Sequence, residues 1–381
     1  MRKKSFEVKV NPEIIKWAIN TSGWSTEDLN RKLKLSENSI NRWISKEKYP
    51  TFRQLENLSE YLKRPVAVFL LPNPPEEKSL PNDRRILPEE KKNRFDKKTI
   101  LAIRAARRLQ KISKELVENL NQNIEPKISS VKLSDNSKEI AQAYRDKFQI
   151  TEEVQKSWKS SYFAFDTLRN TIENLNILVF QFPMPMKDAR GFALTDETPP
   201  IIVINSADKI EARTFTLLHE FAHILLGESS IDMPEDSLFV SITDSIEKWC
   251  NDFASTFLLP IPLAKKLFEQ YRHSLTQRDT LDKLSLDYKV SKSMLLYNMR
   301  KLNYVAKAEY EQRLEGLKRV PMRKRKGGLP PYKRCIGQKG RKTISLITTN
   351  LEKGFITTFD ALDYLSIKHR QFDKLLSEVG K

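Results

Sequence analysis

Apolar positions recur every three to four residues through most of this chain, and only one region reads differently. In residues 12–71 four short stripes follow one another: Ile14, Ile15, Ala18 and Ile19; Leu29 and Leu33; Ile40, Trp43 and Ile44; Leu55, Leu58 and Leu62. Their starts carry chemical marks. Ser25 precedes Thr26-Glu27-Asp28, Ser36 precedes Glu37, and Thr51 stands three residues before Gln54, each offering a side-chain oxygen to the free N–H groups of a first helical turn. Residues 97–121 predict one long helix with the stripe Leu101, Ala105, Leu109, Ile112, Leu116 and Leu120; its other face, Arg104, Arg107, Arg108, Lys111 and Lys114, reads most simply as solvated, with a DNA-binding or dimer surface as the open alternatives. Polar residues 122–134 read as a loop, and helices follow at 140–148 and 163–174. The exception comes next. Ile177–Phe182, Phe192–Leu194 and Ile201–Asn205 are β-branched and aromatic runs bounded by turn residues, and predict a small sheet. Helical periods return at 215–226, at 246–259 up to Pro260, and at 281–302, with residues 228–243 between the first two read as a loop rich in Ser, Asp and Pro. A final helix pair is expected at 356–379, with Phe359, Leu362, Leu365, Phe372, Leu375 and Leu376 inward. The fold class is therefore α+β and predominantly α.

Breaks in the pattern predict the domain organisation. Residues 1–71 form a compact unit of four or five helices. The run Pro72-Asn73-Pro74-Pro75 opens a linker over 72–96, because clustered prolines exclude regular structure. A helical connector spans 97–134, the domain holding the sheet spans 135–317, a basic flexible loop 318–345 and the helix pair 346–381.

Charge sharpens this picture. The net charge is +18, which points to an anionic partner, nucleic acid being the usual one. Residues 318–343 hold 11 Lys or Arg and no acid, with three prolines and four glycines, and so read as a mobile cationic segment. Two cysteines, Cys250 and Cys335, cannot build a disulfide framework, and there is no run of 18 apolar residues. A cytoplasmic protein with no membrane partner is expected.

The chemistry concentrates in Leu217-Leu218-His219-Glu220-Phe221-Ala222-His223. On a helix, residues four apart share a face, so His219 and His223 can grip one Zn²⁺. Glu220 lies beside them, where its carboxylate can take a proton from water that zinc has acidified. A third ligand is needed. Glu228, Asp232, Glu235, Asp236, Asp244, Glu247, Asp252 and His273 are candidates; Glu247 is favoured, with Asp244 as the main rival one turn earlier. Asn251, one turn past Glu247, is placed to hold a ligand histidine by its ring N–H.

These two segments, with Glu247-x-x-Cys250-Asn251-x-Phe253-Ala254 and Leu258-x-Pro260, resemble the ImmA/IrrE family of metallopeptidases over residues 140–310 or so. The resemblance implies a gluzincin-like zinc endopeptidase with His, His and Glu ligands and Glu220 as general base. It also implies cleavage of a protein partner such as a repressor or antitoxin. Gluzincins often carry Asp where this chain has Asn251. Residues 12–71 in turn resemble the helix-turn-helix unit of phage repressors. That resemblance aims Glu37, Asn38, Asn41 and Arg42 at base edges in a major groove, with Lys46 and Lys48 suited to phosphates. A homodimer is compatible with this reading. A transcription factor or antitoxin with a structural or sensory zinc is the alternative, but it gives the intact Glu220 nothing to do.

Overall fold

In a computed structural model of the protein, residues 6–75, 95–228, 230–232, 245–318 and 328–379 are described. They divide into two compact units that meet in the sequence between Ala105 and Ala106.

The first unit is helical. Helix α1 (Pro12–Asn20) is capped by Asn11, whose Oδ1 accepts from the Glu13 N–H at 3.0 Å, and α2 (Thr26–Lys32) by Ser25, whose Oγ accepts from the Asp28 N–H at 3.0 Å. Helix α3 (Ser39–Ile44) follows, and α4 (Phe52–Leu62) opens with the reciprocal cap between Thr51 and Gln54. A 3₁₀ turn over Val66–Leu70 brings Phe69 into a core with Ile14, Ile15, Leu29, Ile40 and Trp43. Helix α3 starts two residues later than the sequence pattern implies. Buried Asn30 explains the difference: its Nδ2 donates to the Glu37 carbonyl at 2.5 Å and its Oδ1 accepts from the Ile40 N–H at 3.3 Å. The side chain fastens the α2–α3 connection, and Ser36 Oγ bonds Ser39 Oγ at 2.6 Å rather than capping a helix.

Helix α5 (Lys97–Asn119) crosses the unit boundary. Its arginines are not simply solvated, as the sequence suggested. Within the first unit Arg104 donates to the carbonyls of Thr21 and Leu62. Within the second, Arg107 pairs with Asp196 at 2.8 Å and Arg108 with Asp363 at 2.5 Å.

The second unit begins with α6 (Ser137–Lys147), α7 (Glu152–Ser157) and α8 (Ser161–Glu173). Strands β1 (Leu178–Phe182), β2 (Gly191–Leu194) and β3 (Ile201–Asn205) lead into α9 (Ile210–Leu225), after which β4 (Ser230–Asp232) returns to the sheet. The strand order is β1-β3-β2-β4; β1 runs parallel to β3, and β2 is antiparallel to both β3 and β4. The three longer strands are buried nearly throughout, which is why they read as continuous apolar runs rather than alternating ones. The segment expected to be a loop at 228–243 thus contributes a strand at 230–232, where backbone pairing to β2 needs no particular side chains; 233–244 lie outside the described residues. Helices α10 (Ser245–Leu258), α11 (Ile261–Gln270), α12 (Arg278–Tyr288), α13 (Lys292–Lys301) and α14 (Lys307–Lys318) complete the core around α9.

The expectation of a basic flexible loop over 318–345 is corrected in its second half. Residues 331–339 form α15 and 341–352 form α16, while 319–327 lie outside the described residues. Pro331 occupies a first-turn position, where its missing N–H costs nothing, and Gly340 at φ +81° makes the corner between the two helices. Two further helices, α17 (Thr358–Leu365) and α18 (Phe372–Val379), close a small core with Ile112 and Leu116 of α5. Here too one expectation fails: Phe359 is 80% exposed and Leu376 38%. Helix α17 buries Ala361 and Leu365, four apart, which leaves Phe359 on the opposite side.

Buried polar contacts hold α15 and α16 to the sheet. Arg169 pairs with Glu173 at 3.1 Å, both almost wholly buried, and Arg169 also donates to the Gly337 carbonyl at 2.8 Å and to that of Val179. Burial pushes the Glu173 carboxyl up, and the charge and hydrogen bond of Arg169 offset only part of that. Lys342 reaches the Glu173 carbonyl and Asn176.

Candidate metal centre

Helix α9 passes through the middle of the core. Every residue from Thr214 to Leu225 is buried, which a chain can sustain only if the polar side chains meet polar partners. An aromatic cluster packs behind it. Phe221 lies edge-on to Tyr144 at 5.2 Å, and Trp249 stacks on Phe253 at 5.7 Å, so that α6, α9 and α10 are joined on the side away from the sheet. The helix ends at Gly227, whose φ of +71° lets the Glu228 N–H return to the His223 carbonyl at 2.9 Å.

On this helix His219 and His223 face one another, their Nε2 atoms 3.1 Å apart. Glu247, in the first turn of α10, reaches between them: Oε2 is 3.3 Å from His219 Nε2 and Oε1 is 3.2 Å from His223 Nε2. The three donor groups lie within 4.8 Å of one another and all are buried. Burial alone would raise the Glu247 carboxyl, but hydrogen bonds and charge from the two imidazoles outweigh it and hold the group well below the usual carboxylate range. Two imidazoles and a carboxylate that converge in this way are a donor set that fits a divalent metal ion. Glu220 is fully buried on the same helix and makes no part of the cluster.

Of the other residues singled out from sequence, Asp252 is drawn away to Lys301, His273 sits on an exposed 3₁₀ turn, and Asp244, Glu235 and Asp236 lie outside the described residues. Asn251 lies one turn beyond Glu247 on α10. Its amide is buried but makes no hydrogen bond among the described residues, to a histidine or otherwise. One helical turn carries it about 6 Å along the axis from Glu247, while both imidazoles turn their Nε2 atoms toward that carboxylate. In the first unit, Glu37, Asn38, Asn41, Arg42 and Lys46 are all exposed, on α3 and the residues flanking it.

Two features had no sequence signal. Gly191, at the start of β2, lies against α9: a Cβ there would come 2.6 Å from Thr216 Cγ2, 2.9 Å from the Val203 carbonyl oxygen and 3.3 Å from Glu220 Oε1. The glycine is what lets the strand approach the helix beside Glu220. A cleft of about 1300 Å³ also opens at the N-terminal end of α9, lined by Phe215 and Thr216 and reaching across to α12, α13 and α14. Phe215 stacks on His219 with ring centroids 6.3 Å apart, so the cleft adjoins the cluster.

Residues 172–300 match the family model of Peptidase_M78, the IrrE N-terminal-like domain. The match takes in about a third of the chain, from the end of α8 to α13, and includes the cluster. It supports the ImmA/IrrE family and a peptidase domain of a typically metal-dependent kind. No curated protein matches the chain. No helix among the described residues is long and apolar enough to cross a membrane.

Proposed function

We propose that the second unit is a zinc-dependent endopeptidase of the HExxH, gluzincin-like type, with His219, His223 and Glu247 as ligands and Glu220 as general base. The observation that carries the reading is the convergence of two imidazoles and one carboxylate from two buried helices, next to a second buried carboxylate on the same helix. Bound there, zinc would supply Lewis-acid polarisation of a peptide carbonyl and would acidify water. Glu220 takes the proton from the attacking water and delivers it to the departing amide nitrogen. Its burial keeps bulk water from competing for that proton.

The first unit is proposed to be a repressor-like DNA-binding module. Asn41 and Arg42 stand exposed on α3, a short helix braced by Asn30, and they can read adenine and guanine edges. The whole is then a regulator whose peptidase removes a protein partner such as a repressor or antitoxin. The reading in which zinc is only structural or sensory leaves the buried Glu220 beside the cluster without a task.

The test is Glu220→Gln in cells of the source organism. The variant keeps its metal, because Glu220 is no ligand, and the new protein N-termini that appear with wild type disappear. Identical sets of N-termini with wild type and variant would refute the peptidase reading.

A further inference from the structure

We propose that the cleft beside the candidate metal centre selects an acidic segment of the substrate polypeptide, a few residues from the bond to be cut. This rests on the peptidase reading and names its substrate class.

The charge of the cleft carries the inference. Six basic and three acidic side chains line it, +6 against −3, a balance of +3. Four of the bases and two of the acids are engaged in ion pairs: Arg190 with Asp208 at 2.9 Å, Lys292 and Arg278 with Asp282, and Arg313 with Glu309 at 4.0 Å, which leaves Lys187 and Lys209 against Glu211. Lys187 and Lys209 are exposed at the wall and make no ion pair among the described residues. The backbone adds to them. Helix α9 opens at Lys209 with no side-chain cap, so the positive end of a 16-residue helix faces the same space, offset in part by Glu211 in its first turn. Lysines, a helix N-terminus and a concave wall together focus a positive potential where a polypeptide must pass to reach the centre. Leu286, 68% exposed on the rim, offers an apolar contact that an acidic segment with a neighbouring hydrophobic residue would use.

Helix geometry sets the distance. Thr216 precedes Glu220 by four residues and Lys209 by eleven, so at about 1.5 Å per residue the cleft runs from about 6 Å to about 16 Å from the base. An extended peptide lying along α9 advances about 3.3 Å per residue. The cleft therefore spans side chains about two to five residues from the scissile bond, with its lysine end at about five.

The test uses metal-loaded protein and a set of equal-length peptides that differ in where a Glu-Asp-Glu block stands, read by mass spectrometry. Cleavage about five residues from the block is expected, with loss of that preference in Lys187→Glu/Lys209→Glu. Lys368→Glu/Lys374→Glu, both exposed and remote from the cleft in sequence, changes the net charge by the same amount and serves as the control. Cleavage at the same rate whatever the block's position, or a preference unchanged in the double variant, overturns the proposal. If no peptide is cut, the peptidase reading is what fails, and binding still decides the cleft. Glu220→Gln is then titrated with the fluorescein-labelled acidic peptide and with its Gln-Asn-Gln counterpart. The acidic form is expected to bind about tenfold tighter, a scale set by a few partly screened charge contacts, and to lose this advantage with the lysines. Equal affinity for the two peptides overturns the proposal as well.

Discussion

Replacing Gly191 by alanine tests how tightly the sheet is pressed against the helix that bears the site. The backbone φ of Gly191 is not positive, so alanine meets no conformational strain there. With open space around it, the substitution would stabilise the fold by about 0.4–1 kcal/mol through the unfolded chain. The space is not open. The added methyl would lie 2.6 Å from Thr216 Cγ2 and 2.9 Å from the Val203 carbonyl oxygen, and the second of these is backbone in the neighbouring strand. Overpacking of this kind costs about 1–3 kcal/mol, so a net loss of about 1–2 kcal/mol is expected. That is a fall in Tm of about 2–8 °C for the second unit, at about 2–4 °C per kcal/mol in a domain of this size. Glu220 Oε1, 3.3 Å from the same methyl, must give way too, so any peptidase turnover falls by more than stability alone accounts for. Thr216→Ser removes the closest contact but leaves the Val203 one, and in the double variant it restores part of the Tm and not all of it. Calorimetry with metal analysis measures this. A Gly191→Ala protein as stable as wild type, or one fully restored by Thr216→Ser, would refute the close approach as described.

His219→Ala and Glu247→Ala are each expected to lose most bound zinc by elemental analysis; full retention in the second would return the search to donors between 233 and 244. Arg169→Met strands the buried Glu173 carboxylate and is expected to cost about 3–5 kcal/mol in urea unfolding, so a loss under 1 kcal/mol would argue that the pair is not buried as seen. Asn30→Ala removes both fasteners of the α2–α3 connection and should destabilise the first unit by about 1–3 kcal/mol; an unchanged midpoint would count against that brace. Asn41→Ala or Arg42→Ala should abolish sequence preference in DNA titrations while leaving salt-sensitive affinity for random duplex, and absence of DNA binding by wild type would return the first unit to a protein-interaction role.

What could be read from the sequence was local. His219 and His223 are four apart on one helix, so periodicity was enough to put them on one face; for the third donor it offered Glu247 with Asp244 as a rival, and the fold brings Glu247 to the two imidazoles. The caps at Ser25 and Thr51 were legible for the same reason, since a cap is a contact over three residues. Contacts over long separations were not legible. Gly191 meets Glu220 across 29 positions, and the cleft gathers Lys187, Lys209 and Leu286 from three elements. Charge misled in two places. Lys and Arg density around 331–342 argued for a loop, yet Lys342 finds the Glu173 carbonyl and Arg169 receives α15 at Gly337. The arginines of α5 looked solvated because their partners, Asp196 and Asp363, lie 89 and 255 residues away.

The seating of α15 against β1 has a consequence for how this molecule can associate. A β-sheet with two bare margins can add strands at both and grow without limit, which is the route to fibres. Here β1 pairs with β3 on one side and has a helix laid against it, held through Arg169 and Gln181 at the Gly337 carbonyl. Among the described residues only the far side of β4 is left for another strand. As far as the described residues go, such a sheet has room for one guest strand or one sister molecule edge to edge. Within the described residues, association through the sheet would end with one added strand rather than run on.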